Sequence, residues 1–288
     1  MENDNTKTIV ITGTSSGIGY YCVKVLDRLG FNIFAALRKE EDFKKIKDEF
    51  SENVTPIHID LNNYNSVVNS YDKIKGIVGS RGIYCLINNA ATAVGGPIEY
   101  VNTEELNTIF QVNVFGQIKM IQTFLPLLRE GNGRIINISS TNGWLSMPYM
   151  GLYCASKYAL EAISDALRIE LIKWQIPVSV ICPDKIQSNM WSASISKTEQ
   201  FVNSLPNNDI GNYYKSEMEV FLKAIEKIAG QSLHPKIVVR AILHILNAKK
   251  PKFRYLPGFE TKLQYYLVKI FPQKMMNRIL IKLFGLSN

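Results

Sequence analysis

The sequence predicts an α/β fold: a doubly wound parallel sheet forming one domain, with a helical C-terminal extension. Three observations carry this. Short apolar runs alternate with amphipathic stretches up to about residue 183, the pattern of βαβ units. Polar clusters follow directly on those runs, where parallel sheets bind ligands beyond the carboxyl ends of their strands. The chain has 288 residues, 46% hydrophobic and 20% charged, enough for one large domain with a full core.

Taken in order, TIVITG (8–13) reads as a strand and 17–30 as a helix closed by Gly30. NIFAAL (32–37) is the second strand, 40–50 a charged helix, and VTPIHID (54–60) the third strand. A helix over 64–78 leads to IYCLIN (83–88), and a long helix over 104–129 to RIINIS (134–139). A helix over 155–173 precedes the sixth strand, PVSVICP (177–183). The expected organisation is a catalytic domain over 1–248, with a substrate loop near 190–220, and a basic amphipathic extension over 249–288.

The net charge of +8 is unevenly placed. Residues 249–288 hold nine basic side chains and one acid, so they account for the whole excess, and the first 248 residues balance. This argues against a body-wide nucleic-acid surface. Cys22, Cys85, Cys154 and Cys182 are far apart with no C-x-x-C, and His58, His234 and His244 do not cluster with them. Reduced thiols, no metal and a cytoplasmic setting are expected. Neither a signal-peptide pattern nor a run of 18 uncharged apolar residues is present.

Chemistry enters at TGTSSGIG (12–19). Gly13, Gly17 and Gly19 remove side chains where a strand turns into a helix, and Ser15, Ser16 and Ile18 lie between them. Backbone amides there can approach a pyrophosphate at the positive end of the helix. A tight turn with close helix–strand packing would use glycines too; the strand before and helix after favour the nucleotide. The second strand ends in Leu37-Arg38-Lys39, with no acid to bind a ribose 2′-hydroxyl. Arg38 favours NADP(H), unless the two cations simply begin a solvated helix.

In LYCASKYAL (152–160), Tyr153 and Lys157 stand one helical turn apart on one face. A phenol with a pKa near 10 is a poor proton donor or acceptor at neutral pH unless its anion is stabilised, which a lysine can do. Tyr20/Lys24, Tyr71/Lys75 and Tyr265/Lys269 share the spacing, so the pair alone decides nothing.

Together these stretches resemble the classical short-chain dehydrogenase/reductase family over roughly residues 7–190. TGTSSGIG is similar to its glycine motif, NNAA (88–91) to its N-N-A-G, and QVNVFG to the segment of its catalytic asparagine, here Asn113. INISS (136–140) and YCASK (153–157) are similar to its active-site serine and Y-x-x-x-K. In the family the serine lies 13 residues before the tyrosine, as Ser140 does before Tyr153; the same offset from Tyr20, Tyr71 and Tyr265 reaches Lys7, His58 and Lys252.

The resemblance implies a Rossmann-like fold and hydride transfer between nicotinamide and a carbonyl or alcohol. In that reading Tyr153 moves the proton, Ser140 holds the oxygen, Lys157 lowers the phenol and binds the nicotinamide ribose, and Asn113 positions a relay water. It further implies adenosine contacts from Asp60, Leu61, Asn88, Asn89 and Ala90, though Asp60 could equally cap the next helix. Pro183, Ile186 and Ser188 would hold the carboxamide end. Homo-oligomers through the two long helices are implied as well.

Two departures stand out: Ala91 replaces the motif glycine, and Pro183-Asp184-Lys185 replaces Pro-Gly, which puts the carboxamide contacts in doubt. Trp144, Tyr149, Met190 and Trp191 would line a site for a lipophilic small molecule, or else belong to ordinary packing. PKFRYLPG (251–258) resembles a segment of hydroxysteroid- and retinol-type members. After Pro272, Lys274, Arg278 and Lys282 form one stripe opposite Met275, Met276, Ile279, Leu280, Leu283 and Phe284. That profile suits peripheral membrane contact through 272–286 and equally a helix packed on the domain. The rival readings are a non-catalytic NADP(H) sensor or scaffold, and a sugar-nucleotide epimerase or dehydratase, which has a different glycine spacing.

Overall fold

The computed structural model describes residues 7–286; the outer ends of the two expected segments, 1–6 and 287–288, lie outside the described residues. Seven strands form one sheet, β1 (Thr8–Thr12), β2 (Asn32–Leu37), β3 (Val54–His58), β4 (Cys85–Asn88), β5 (Arg134–Ile138), β6 (Val178–Ile181) and β7 (Arg254–Tyr255). Their order is β3-β2-β1-β4-β5-β6-β7 and every pairing is parallel. The order reverses at β1, between β2 and β4, and such a switch point opens a crevice for a ligand.

The apolar runs are continuous because both faces of the sheet are covered. Alternate residues serve opposite layers. Ile9 and Ile11 of β1 pack with Cys22, Val23 and Leu26 of α1 (Gly17–Arg28) and with Val238 and Ile242 of α9 (Lys236–Asn247). Val10 faces the other way, with Val67 and Ile74 of α3 (Tyr64–Val78) and Met120 and Phe124 of α5 (Gly116–Glu130). The remaining helices are α2 (Glu41–Glu49), α4 (Thr103–Phe110), α6 (Gly151–Glu170), α7 (Asn189–Ser204), α8 (Asp209–Gly230), α10 (Phe259–Ile270) and α11 (Gln273–Phe284).

Four differences from the sequence reading matter for the site. The long helix expected over 104–129 is broken into α4 and α5 by a π turn, Gln111–Phe115, which carries Asn113. The helix expected from 155 starts four residues earlier, so Tyr153 lies in its first turn. A seventh strand adds Arg254 and Tyr255 to the edge of β6, inside the segment expected as an extension. Finally, Leu280 and Phe284 of α11 pack with Met218 and Phe221 of α8 in a third core cluster and Met276 is buried as well, so half of the apolar face of this helix is covered.

Candidate active site

The glycine turn is built so that side chains cannot enter it. Gly13 and Gly17 have φ of +69° and +59°, where only glycine is at ease. A Cβ on Gly13 would lie 2.8 Å from Ala90 Cα, on Gly17 2.6 Å from Ser188 Cβ, and on Gly19 2.2 Å from the Gly13 carbonyl oxygen. Asn89 fastens this turn to the end of β4: its Nδ2 donates to Thr12 O (2.9 Å) and Gly13 O (3.0 Å), while Thr12 Oγ1 accepts from Asn89 N and Ala90 N. Ser16, the N-cap of α1, makes no side-chain capping bond and the first turn holds no acid, so the helix offers its amides and positive end to the cleft.

A cavity of about 610 Å³ runs from this turn across the carboxyl ends of the strands. Ser15, Ser16, Gly17, Ile18 and Arg38 line one end, with Asp60, Leu61, Asn89 and Ala90 along the wall. Ser140, Tyr153, Lys157, Pro183, Ile186, Ser188, Met190 and Trp191 line the other end. That volume accommodates a dinucleotide's reactive half together with a small molecule. The cradle, the open helix end and the unpaired Arg38 fit a dinucleotide. Lys39 pairs with Glu41 at 2.9 Å, whereas Arg38 makes no ion pair among the described residues.

At the reactive end, Ser140 follows β5 and Tyr153 comes from the first turn of α6; both line the cavity, with the serine near enough to favour the phenolate. Ser140 Oγ also accepts from Asn142 N at 3.2 Å. Lys157 is buried one turn later, donates from Nζ to Ile138 O at 2.9 Å, and stands 5.8 Å from the centre of the Tyr153 ring. Burial dominates both groups. It pushes the Tyr153 hydroxyl up to about 12 against the opposing bond from Ser140, and the Lys157 ammonium down to about 8 against the Glu161 carboxylate. In the protein alone the lysine therefore does not hold the phenol below its ordinary value, because both lose water together.

Several expected residues sit elsewhere. Trp144 and Tyr149 do not line the cavity: the Trp144 ring meets Tyr265 edge-on at 5.3 Å, and Tyr149 packs on Phe221 at 5.5 Å. Asn88 is buried beneath the cleft, donating to Asn137 Oδ1 at 2.9 Å. The cap of α3 is Asn63, which accepts from Asn65 N, so Asp60 is left facing the cleft. Asn113 stands behind the wall with its amide fully engaged: Nδ2 donates to Thr92 O (2.8 Å) and Ser156 Oγ (3.0 Å), and Oδ1 accepts from Thr92 N (2.8 Å). It holds the strand of cavity lining at Thr92 in place.

The sequence reading missed Thr12 as a fastener, and it missed Lys197, which joins the cavity rim from α7 and donates toward Thr92 Oγ1 at 3.4 Å. No local pattern marks either one. Asp184 lines the reactive end, accepting from Thr141 Oγ1 at 3.4 Å; burial holds its carboxyl above the ordinary range. Its neighbour Lys185 turns away to pair with Glu260 at 3.1 Å.

The family model for short chain dehydrogenases matches residues 7–199. The chain belongs to that family. Among known proteins it is similar to an NADPH-dependent 3-dehydrocapnine reductase from Ornithobacterium rhinotracheale, with 33% identity and 95% of each chain covered. It is also similar to retinol dehydrogenase 7 from Mus musculus, at 30% identity over 95% of this chain and 87% of that protein. Among solved structures, a short-chain dehydrogenase from Streptomyces avermitilis superposes with a TM-score of 0.76 at 20% identity, over 98% of this chain and 96% of that one, a likeness of fold. The resemblance to hydroxysteroid and retinol dehydrogenases thus holds across nearly the whole length.

Proposed function

We propose that the protein is an NADP(H)-dependent reductase of lipophilic ketones. One observation carries the reading: Ser140, Tyr153 and Lys157 share the wall of the cavity that begins at the glycine turn. The nicotinamide, when bound, supplies the hydride. Tyr153 Oη holds the proton given to the carbonyl oxygen, and Ser140, beside it on the same cavity wall, fixes that oxygen. Lys157 brings the only buried ammonium near the phenol among the described residues, and would hold the ribose.

The absence of an acid at Leu37, the unpaired Arg38 on the rim and the NADPH dependence named for the relative at 33% identity support NADP(H). Ile186, Met190, Trp191 and Ala193 give the reactive end apolar surface on which a lipophilic substrate can rest. Relatives named for 3-dehydrocapnine and retinol suit that lining.

Tyr153→Phe is the test. NADPH should bind as before by fluorescence titration, while ketone-dependent NADPH oxidation falls by about a hundredfold or more, the scale of a lost general acid. Turnover within a few-fold of the wild type would overturn the assignment. Loss of NADPH binding together with turnover would instead point to a structural tyrosine.

A further inference from the structure

One continuous stripe of exposed apolar side chains lies on α10, and the observations there point beyond hydride transfer. Phe259, Leu263, Tyr266 and Ile270 recur at i, i+4, i+7 and i+11, which places them within one narrow stripe of a helix. All four face solvent, with exposures of 79, 49, 59 and 73%. Phe271 extends the stripe past the helix end. The opposite side of α10 is anchored. Tyr265 meets Trp144 edge-on, Glu260 pairs with Lys185, and buried Thr261 donates to Pro257 O at 2.7 Å. The helix therefore presents its stripe from a fixed seat beside the reactive end of the cleft.

Charge selects the occupant. Lys262 and Lys269 project beside the stripe, both exposed. They belong to the segment 249–288, whose nine basic and one acidic side chains supply all of the protein's net charge. A self-complementary contact with a second copy would bring these cations together, whereas an anionic lipid surface attracts them and takes up the apolar side chains at the same time. We infer that α10 is a docking surface for anionic phospholipid bilayers, lying in the interface with Phe259, Leu263, Tyr266 and Ile270 inserted. No helix among the described residues is long and apolar enough to cross a membrane, so the contact is peripheral through this helix. The sequence left 272–286 open between a membrane face and a helix packed on the domain; the structure packs Leu280 and Phe284 of that helix with α8 and leaves the continuous stripe one helix earlier.

Sedimentation of the full chain with vesicles of phosphatidylcholine containing about one-quarter phosphatidylglycerol tests this. Wild-type protein should pellet with them, less so at high salt and less with phosphatidylcholine alone. Replacing Phe259, Leu263, Tyr266 and Ile270 together by Ser should reduce partitioning at least about tenfold, and Lys262→Glu with Lys269→Glu should reduce it too. NADPH titration and thermal melting of both variants report that the fold is intact. Wild-type protein left in the supernatant, or variants that pellet equally, would overturn the proposal. So would light scattering that shows a wild-type dimer which the serine variant turns into monomer, since a second copy would then own the stripe.

Discussion

Tyr153 and Lys157 face opposite penalties from the same burial, and this makes Lys157 a pH-dependent strain on the fold. Below about 8 the lysine is charged in both the folded and unfolded chain, and the fold bears the full cost of burying it. Between about 8 and 10.5 the unfolded chain keeps a proton that the fold has released, so stability rises with pH across that window. The shift from 10.5 to about 8 corresponds to about 3 kcal/mol. The wild-type melting temperature relative to that of Lys157→Met should therefore climb from pH 8 toward 10.5. A difference that stays flat with pH would show that the ammonium is as well solvated in the fold as outside it. At the other end of the cavity, Arg38→Asp should raise KM for NADPH by about tenfold to a hundredfold, the scale of one charge-assisted hydrogen bond, while KM for NADH falls. An unchanged NADPH preference would remove Arg38 from cofactor selection.

Among the secondary-structure elements, β7 and α6 are joined by an ion pair. Arg254 of β7 donates through Nε (3.1 Å) and Nη2 to Glu161 of α6, one turn beyond Lys157 on the same helix. Cys182 Sγ, just after β6, donates to the other carboxylate oxygen at 3.2 Å. Arg254→Met removes the cation hydrogen-bonded to the buried Glu161 carboxylate and should cost about 3 kcal/mol of stability, read by urea denaturation. Adding Glu161→Gln should return most of that loss, because the uncompensated charge rather than the missing arginine carries the cost. Equal losses in the single and double variants would mean the pair acts only through packing. The π turn Gln111–Phe115 plays a comparable positioning part, since it turns Asn113 inward to clamp Thr92 and Ser156.

For the whole molecule, the sheet places the site and the tail adds a second surface. The order of strands reverses at β1, and the cavity lies across the carboxyl ends of the strands that flank the reversal. Beyond it, α7, α8 and α11 build a separate apolar cluster around Phe221, Met218 and Phe284, which packs with Trp191 at the cavity rim. Tyr149, placed by the sequence among substrate contacts, belongs to that cluster, with Trp144 against α10. Aromatic residues in a loop before an active tyrosine look the same whether they face a ligand or a neighbouring helix.

The sequence by itself determined the first six strands, the glycine turn and the Tyr153–Lys157–Ser140 set, because each is written in local spacing: an apolar run, glycines at a turn, a helical i, i+4 pair at a fixed distance from a strand end. Tertiary structure alone decided what depends on neighbours distant in the chain. The two-residue strand Arg254–Tyr255 has no period to detect and exists because β6 offers it an edge. Asn113 turns away from the cavity because Thr92 and Ser156 satisfy its amide. Half of the apolar face of α11 is buried and that of α10 exposed because only one of the two found a partner in α8, and two amphipathic helices side by side in sequence do not say which will be covered.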